Sequence, residues 1–312
     1  MCLGEKEDVA ARPAGRLQFT LMRFQDVRFP RRRRGCTVVM VAVAMLTVLG
    51  GGSRALAHAD LLLQIEDLTK EIAKKPNDPE LYLRRGELRR AHVEWDEAFV
   101  DFERAAALAP DLPALDLVRG RLFLDSGWPL SARGYLDRVL HRQPTHVEAF
   151  ILRGRAFARL HLPLSAAEDF DRALALYPDP GPDLFIERAQ ILEGAGPEYV
   201  ARALAGLDDG IRKLGPLVTL QLSAIELEVK TKSYDSALGR VDKIAERSPR
   251  KETWLARKGE ILKQAGRAEE AREAFRTALV ALRSLPATRR NVPAMLELEK
   301  RLRLEIDPSG GR

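Results

Sequence analysis

Apolar residues along 147–178 recur with the spacing of one face of an α-helix, in two separate runs. With Val147 counted as position 1, the first run occupies positions 4, 8 and 11 with Phe150, Gly154 and Phe157. The second run occupies positions 20, 24 and 27 with Ala166, Phe170 and Ala173. Spacings of three and four residues place each run on one side of a helix. The pattern therefore predicts two short amphipathic helices.

The two predicted helices are separated by His161, Leu162 and Pro163. Proline lacks a backbone N–H and clashes with the preceding turn, so it does not continue a helix well. Pro178, at position 32, ends the second helix in the same way. The segment is thus a hairpin of a first helix, called A, and a second helix, called B.

The hairpin pattern recurs along 79–287 at intervals of about 34 residues. Six units are predicted, of which the fourth lacks glycine at position 8 and is longer than the others: 79–112, 113–146, 147–180, 181–217, 218–251 and 252–285. Small residues and proline mark positions 8, 20 and 32 of the better-kept units: Gly86, Ala98, Pro110, Gly120, Ala132, Pro144, Gly154, Ala166, Pro178, Gly259 and Ala271.

This period, with large, small and proline positions retained, resembles that of the tetratricopeptide repeat family. The resemblance implies an all-α, right-handed α-solenoid of stacked helical hairpins with terminal capping helices. Residues 60–78 are predicted to form an N-terminal capping helix in the register of a lone helix B. Residues 288–306 are predicted to form a C-terminal capping helix, and 307–312 a disordered tail.

The glycines at position 8 are interpreted as packing residues. A glycine inside a helix costs about 1 kcal/mol relative to alanine, so its recurrence needs a steric reason. Since alanine recurs at position 20, the two helices are expected to cross closely where neither carries a bulky side chain.

Residues 1–59 are interpreted as a leader that contains an export signal. Four arginines at 31–34 precede an apolar run at 37–49, and Ala57-His58-Ala59 matches a signal-peptidase site, with Met22 as the expected start. The run is shorter than the roughly 20 residues of a membrane span. The expected location is the periplasm, without stable membrane insertion after cleavage. An uncleaved signal anchor in the inner membrane is the alternative.

Removal of the leader changes the charge of the chain. Residues 1–59 hold 10 of the 51 Lys and Arg residues and 4 of the 45 Asp and Glu residues, which leaves 41 of each. A neutral mature chain does not favour nucleic-acid binding. Cys2 and Cys36 both lie in the leader, so the mature chain has no disulfides and no thiol nucleophile.

The family resemblance implies a ligand-binding concave face on the A helices, formed by positions 2, 5, 9 and 12. The expected groove residues are Leu83, Glu87, Leu117, Arg121, Ile151, Arg155, Arg159, Phe185 and Leu222. They predict an apolar floor with a basic middle that would hold an extended or helical peptide. In the alternative interpretation, position 5 only packs neighbouring A helices together and the arginines are solvated.

No motif for catalysis is found. The sequence has no HExxH, GxSxG or GxxxxGK pattern, and no carboxylate or thiolate completes a metal site with His141 and His146. We therefore expect no cofactor and no metal. The predicted function is a non-catalytic adaptor that binds a protein or peptide partner. The alternatives are a structural subunit of an envelope assembly, bound through its outer surface, and a hydrolase with an unrecognised site at the fourth repeat.

Overall fold

The computed structural model describes residues 52–307, with side chains from Asp60 onward. This part of the chain contains α-helices, one short 3-10 turn at Pro197–Tyr199 and no strand. The helices are α1 (Gly52–Lys74), α2 (Pro79–Ala91), α3 (Trp95–Leu108), α4 (Ala114–Asp125), α5 (Pro129–Arg142), α6 (Val147–Arg159), α7 (Pro163–Leu176), α8 (Pro182–Ala195), α9 (Val200–Leu214), α10 (Val218–Lys230), α11 (Tyr234–Arg247), α12 (Lys251–Gln264), α13 (Ala268–Arg283), α14 (Ala287–Arg290) and α15 (Pro293–Ile306).

The chain divides into two compact units, of which the first ends at Pro110 and the second begins at Asp111. In the first unit α1 packs on α2, and α2 pairs with α3. In the second unit consecutive helices pair as hairpins, and the B helix of each hairpin packs on the A helix of the next. The predicted all-α fold of stacked helical hairpins is confirmed.

Three element boundaries differ from the sequence prediction. Helix α1 begins at Gly52 rather than near Asp60, so Ala57-His58-Ala59 lies within its first turns. The A helix of the fourth repeat begins at Pro182, which shifts the repeat frame by one residue. The C-terminal cap is split into α14 and α15. The predicted start at Met22, the basic and apolar parts of the signal, both cysteines and 308–312 lie outside the described residues.

The turn from helix A to helix B places a residue with left-handed backbone at position 15 of five repeats. The residues and their φ angles are Val93 (69°), Gly127 (88°), His161 (58°), Lys232 (61°) and Gly266 (76°). The N–H at position 16 then donates to the carbonyl at position 11, for example Leu162 to Phe157 at 2.9 Å. This bond and a left-handed residue are the two features of a Schellman C-cap.

The glycine at position 8 is required by a large side chain at position 24. A Cβ on Gly154 would lie 2.9 Å from the Phe170 ring and 3.2 Å from the carbonyl oxygen of Ala166. The nearest atoms to Gly86, Gly120 and Gly259 likewise belong to position 24 of the facing helix, which is Phe102, Leu136 and Phe275. The expected close approach to the alanine at position 20 is seen at Ala166, but the expectation that neither helix carries a bulky side chain at the crossing is wrong. The glycine makes room for a ring or a leucine.

In the fourth repeat, two glycines on helix B face large side chains on helix A. A Cβ on Gly210 of α9 would lie 2.9 Å from Phe185 of α8, and one on Gly206 would overlap the guanidinium of Arg188. Once the fourth repeat is counted from Pro182, Phe185 occupies position 4, like Phe150 in the third repeat, and Ala189 replaces the glycine at position 8. The close crossing is kept.

Candidate binding cleft on the A helices

The second unit has an open cleft of about 540 Å³ bordered by α4, α6 and α8. Its apolar surface comes from Leu124, Leu152, Ala158 and Ile191. Its polar rim comes from Asp125, Arg155, Arg159, Glu187 and Gln190. All three bordering elements are A helices. The cleft therefore lies on the helices that the family resemblance assigned to ligand binding.

The cleft uses the side of the A helices that their B helices leave uncovered. In α6, Gly154 faces the Phe170 ring of α7 and is buried. Arg155 and Arg159 lie one and five residues further along, about 100° and 140° around the helix axis. Both line the cleft. Helical geometry alone thus explains why these arginines lie away from the hairpin core.

A smaller cleft of about 170 Å³ lies between α8, α9 and α10. Ile186, Ala189, Leu207 and Leu227 form its apolar surface, and Glu193, Ser223, Glu226 and Lys230 form its rim. Gln190 lines both clefts. The two clefts therefore adjoin at α8, and together they follow four A helices of the second unit.

Most charged groups of the two clefts are paired across neighbouring A helices. Arg155 of α6 donates to both carboxylate oxygens of Glu187 of α8 at 2.9 Å, and this hydrogen bonding raises the pKa of the Arg155 guanidinium. Lys230 of α10 forms an ion pair with Glu193 of α8. Arg159 donates to the backbone carbonyl of Leu124. These pairs neutralise most of the charge along the rims of the clefts.

The predicted basic middle of the groove is therefore corrected. Arg121 donates from Nε to Glu148 at 2.7 Å, and Arg155 is neutralised by Glu187. The sequence interpretation overlooked these partners because each lies far along the chain, in another repeat. Glu148 is 27 positions from Arg121, and Glu187 is 32 positions from Arg155. Both arginines are therefore paired with carboxylates. They form neither a basic patch nor a pair of free, solvated side chains.

The predicted floor at position 5 is also corrected. Leu83 and Phe185 are buried, with 6% and 5% of their surface exposed. Phe185 packs on Gly210 of α9, because the one-residue frame shift turns it toward helix B. Leu117, Ile151 and Leu222 are half-buried and are not part of the surface of either cleft. Glu87 pairs with Arg90 within the first unit.

Seven cleft residues were missed by the sequence analysis: Leu124, Asp125, Leu152, Ala158, Glu187, Gln190 and Ile191. Of these, Leu124 and Ala158 lie at position 12, and Gln190 lies at position 9 once the fourth repeat is counted from Pro182. Both positions belong to the face already assigned to the groove. Helical periodicity could therefore have predicted these three residues. The frame shift at α8 concealed Gln190.

The histidines considered for metal binding have other environments. Nδ1 of His146 accepts a hydrogen bond from the backbone N–H of Ala149 at 3.2 Å and so caps the start of α6. His141 is exposed at the end of α5. Within residues 60–307, no group of three or more His, Cys, Asp or Glu side chains is placed to hold a metal ion.

The comparisons with known proteins agree with the repeat geometry. A family model described as tetratricopeptide repeat matches residues 117–179 and 224–286, two segments that each cover most of two successive hairpins. The chain is a tetratricopeptide repeat protein. Its tetratricopeptide repeats make it a scaffold for protein–protein interaction. No curated protein matches the sequence.

Two solved structures of tetratricopeptide repeat proteins align with this chain at low sequence identity. The C-terminal part of a TPR repeat-containing protein from Cytophaga hutchinsonii aligns with a TM-score of 0.57 and 15% identity, over 80% of this chain and 98% of that chain. A tetratricopeptide repeat protein from Parabacteroides merdae aligns with a TM-score of 0.48 and 20% identity, over 81% and 96% of the two chains. The alignment with the Cytophaga hutchinsonii structure supports the fold of this chain and says nothing of its function. In the part of the chain that the structure describes, no helix is long and apolar enough to cross a membrane.

Proposed function

We propose that the protein is an adaptor of the cell envelope that binds a segment of a partner protein in the cleft on its A helices. The observation that carries the proposal is the cleft of about 540 Å³ between α4, α6 and α8, with an apolar floor and a polar rim. A peptide that binds such a surface places alternate side chains in pockets and its backbone against polar groups.

The shape of the site favours a peptide over a small molecule. Small-molecule sites enclose most of the ligand surface, whereas this cleft continues past Gln190 into a second one on α8 and α10. Such a chain of adjoining depressions along successive A helices matches an elongated ligand.

Site-specific crosslinking tests the proposal. A photo-reactive amino acid replaces Gln190 in one sample and Gln143, an exposed residue that follows α5, in a matched control. We expect position 190 to crosslink to one segment of one protein, which position 143 does not capture. A synthetic peptide with that segment's sequence should bind the purified protein, and Gln190→Trp should abolish the binding by obstructing the junction of the two clefts. Equal crosslinking at the two positions would contradict the proposal.

The location in the envelope is part of the proposal and rests on the leader. Cleavage after Ala59 would leave Asp60–Lys74 of α1, which retains the buried residues Ile65, Leu68 and Ile72. The folded part is thus compatible with removal of the leader. Expression of the full chain in a bacterium, followed by N-terminal sequencing of the fractionated protein, tests this. A start at Asp60 in the periplasmic fraction supports export, an uncleaved chain in the membrane fraction supports the signal anchor, and an uncleaved cytoplasmic chain contradicts both.

The alternative use of the fold is as a structural subunit held through a surface outside the cleft. Leu130, Leu162 and Leu164 near the turns of the second and third repeats are exposed by 61%, 44% and 38%, and they are the apolar side chains that this use would employ. The double variant Leu130→Asp/Leu164→Asp separates the two functions. Loss of the partner in this variant, with binding retained in Gln190→Trp, would favour the structural role.

A further inference from the structure

The charges and hydrogen-bonding groups of the two clefts restrict the chemistry of the partner segment. This inference rests on the proposed function, because it concerns the same site. In the larger cleft the two carboxylates, Asp125 and Glu187, balance the two guanidinium groups of Arg155 and Arg159. In the smaller cleft, Lys230 balances Glu193, and Glu226 remains.

Glu226 forms no ion pair or side-chain hydrogen bond with any residue among 60–307, and its side chain is exposed on α10. It is therefore the uncompensated charge of the combined surface. An interface that leaves a carboxylate unpaired loses affinity, whereas a cation placed opposite it adds specificity. The partner segment should supply that cation.

Gln190 is the second polar group of this surface that has no partner among the described residues. Its side chain is exposed between the two clefts and makes no hydrogen bond within the described residues. A primary amide can donate and accept at once. It can therefore bind the N–H and C=O groups of an extended peptide backbone that crosses α8, without selecting the side chains of that peptide.

We propose that the clefts bind an extended segment with a large apolar side chain, a small apolar side chain and a lysine or arginine at alternate positions. The large side chain enters the cleft of about 540 Å³, the small one enters the cleft of about 170 Å³, and the cation pairs with Glu226. Alternate residues of an extended chain point to the same face. The three side chains therefore lie within five residues of an extended chain, which span roughly 13 Å.

Labelled peptides test the inference by fluorescence anisotropy on the full-length protein. One probe carries leucine, alanine and lysine at alternate positions with serine between them, and a second probe has the reverse sequence, since either chain direction is acceptable. In the matched peptides aspartate replaces lysine. We expect the wild-type protein to bind one lysine peptide roughly fivefold to tenfold more tightly than its aspartate partner. The difference should shrink at about 0.5 M salt because screening weakens exposed ion pairs (the Debye length falls to about 4 Å).

Reversal of the charge on the protein provides the decisive comparison. Glu226→Lys should invert the preference, so that the aspartate peptide becomes the tighter ligand. The matched control is Glu246→Lys on α11, an exposed glutamate outside both clefts, which should leave the preference unchanged. Circular dichroism establishes that both variants are folded.

Two outcomes overturn the inference, and they are distinguishable from failure of the adaptor function. If lysine and aspartate peptides bind equally and Gln190→Trp abolishes both, the cleft binds peptides without the proposed charge selection. If no probe binds in either direction, the proposed segment chemistry is wrong, while crosslinking at position 190 still decides the adaptor function independently.

Discussion

Arg153 of α6 donates from Nε and Nη2 to the two carboxylate oxygens of Asp169 of α7, each at 2.8 Å. Its remaining nitrogen, Nη1, donates at 2.8 Å to Asp137 of α5, in the preceding hairpin. Asp169 and Asp137 lie 16 residues after and before Arg153. One arginine at position 7 thus ties its own A and B helices together and also holds the neighbouring repeat.

In the first unit Arg85 occupies the same position. It donates to Asp101 at 2.9 and 2.6 Å and to Thr69 of α1 at 3.1 Å, again 16 residues after and before it. Asp101 is 1% exposed. The recurrence of this geometry in both units indicates that the bridge is a feature of the repeat.

Removal of the buried carboxylate should destabilise the protein more than removal of the exposed one. Asp169 is 3% exposed, and Asp169→Asn would leave the partly buried guanidinium of Arg153 without its main counter-ion, at an expected cost of about 2 kcal/mol. Asp137→Asn removes a partner whose side chain is 47% exposed and should cost less than about 0.5 kcal/mol. Urea denaturation of both variants measures the two free energies of unfolding. Equal losses would show that burial does not decide the strength of the bridge.

The surroundings of two glycines predict opposite effects for their substitution by alanine. Gly210→Ala would place a Cβ 2.9 Å from Cγ of the buried Phe185 and should lower the free energy of unfolding by about 1–3 kcal/mol. Gly239 of α11 has no atom within 4 Å of the same position. Gly239→Ala should therefore stabilise the protein by about 0.5–1 kcal/mol through helix propensity.

Thermal denaturation of the two glycine variants tests this, since the melting temperatures should move in opposite directions. The double variant Gly210→Ala/Phe185→Leu should recover part of the loss by replacing the ring. If Gly210→Ala were as stable as Gly239→Ala, the close crossing of α8 and α9 would not require glycine.

The hairpins were predictable from sequence because they depend on local spacing. Runs of apolar residues at intervals of three and four, with proline between them, locate α6 and α7 to within a residue. The position of α8 was missed by one residue, because in the fourth repeat no glycine at position 8 anchors the frame. With α8 counted from Pro182 and α9 from Val200, Phe185 and Gly210 fall at positions 4 and 27, where the third repeat has Phe150 and Ala173.

The cleft was predictable only in part, since its chemistry depends on pairs of residues in different repeats. Helical periodicity selects the face that carries Arg155 and Gln190. It does not reveal that Glu187, 32 residues after Arg155, neutralises that arginine. Such pairings depend on how neighbouring A helices pack, and a single sequence carries no direct record of that packing.

The left-handed turn residues predict a stabilising substitution. Val93 has φ of 69°, a conformation that is strained for a β-branched residue. Val93→Gly should relieve that strain, and because glycine also increases the entropy of the unfolded chain, the expected net gain is about 0.5–1 kcal/mol. The reciprocal change Gly127→Val places the same strain at the corresponding position of the next repeat, where the Cβ itself meets no atom within 4 Å. Differential scanning calorimetry should show a higher melting temperature for the first variant and a lower one for the second. A fall in both would mean that contacts of Val93 outweigh its backbone strain.

The buried Glu228 predicts a pH dependence of stability. This side chain of α10 is 4% exposed and accepts a hydrogen bond from Nε of Arg240 at 2.8 Å, while its second carboxylate oxygen has no partner. Arg240 also binds Asp208 of α9. Burial raises the pKa of Glu228 above its ordinary value of 4.5, and the nearby Asp208 charge adds to the shift.

A carboxyl group whose pKa is higher in the folded than in the unfolded chain binds more protons in the folded state. Its contribution to stability is therefore greatest at low pH and decreases as the pH rises from about 4.5. Glu228→Gln removes this titration, so the free energy of unfolding of the variant, relative to wild type, should increase between about pH 4.5 and 7. The control is Glu246→Gln on α11, which replaces an exposed glutamate. Urea denaturation at several pH values measures the difference, and a constant offset between Glu228→Gln and wild type across this range would show that Glu228 does not titrate differently on folding.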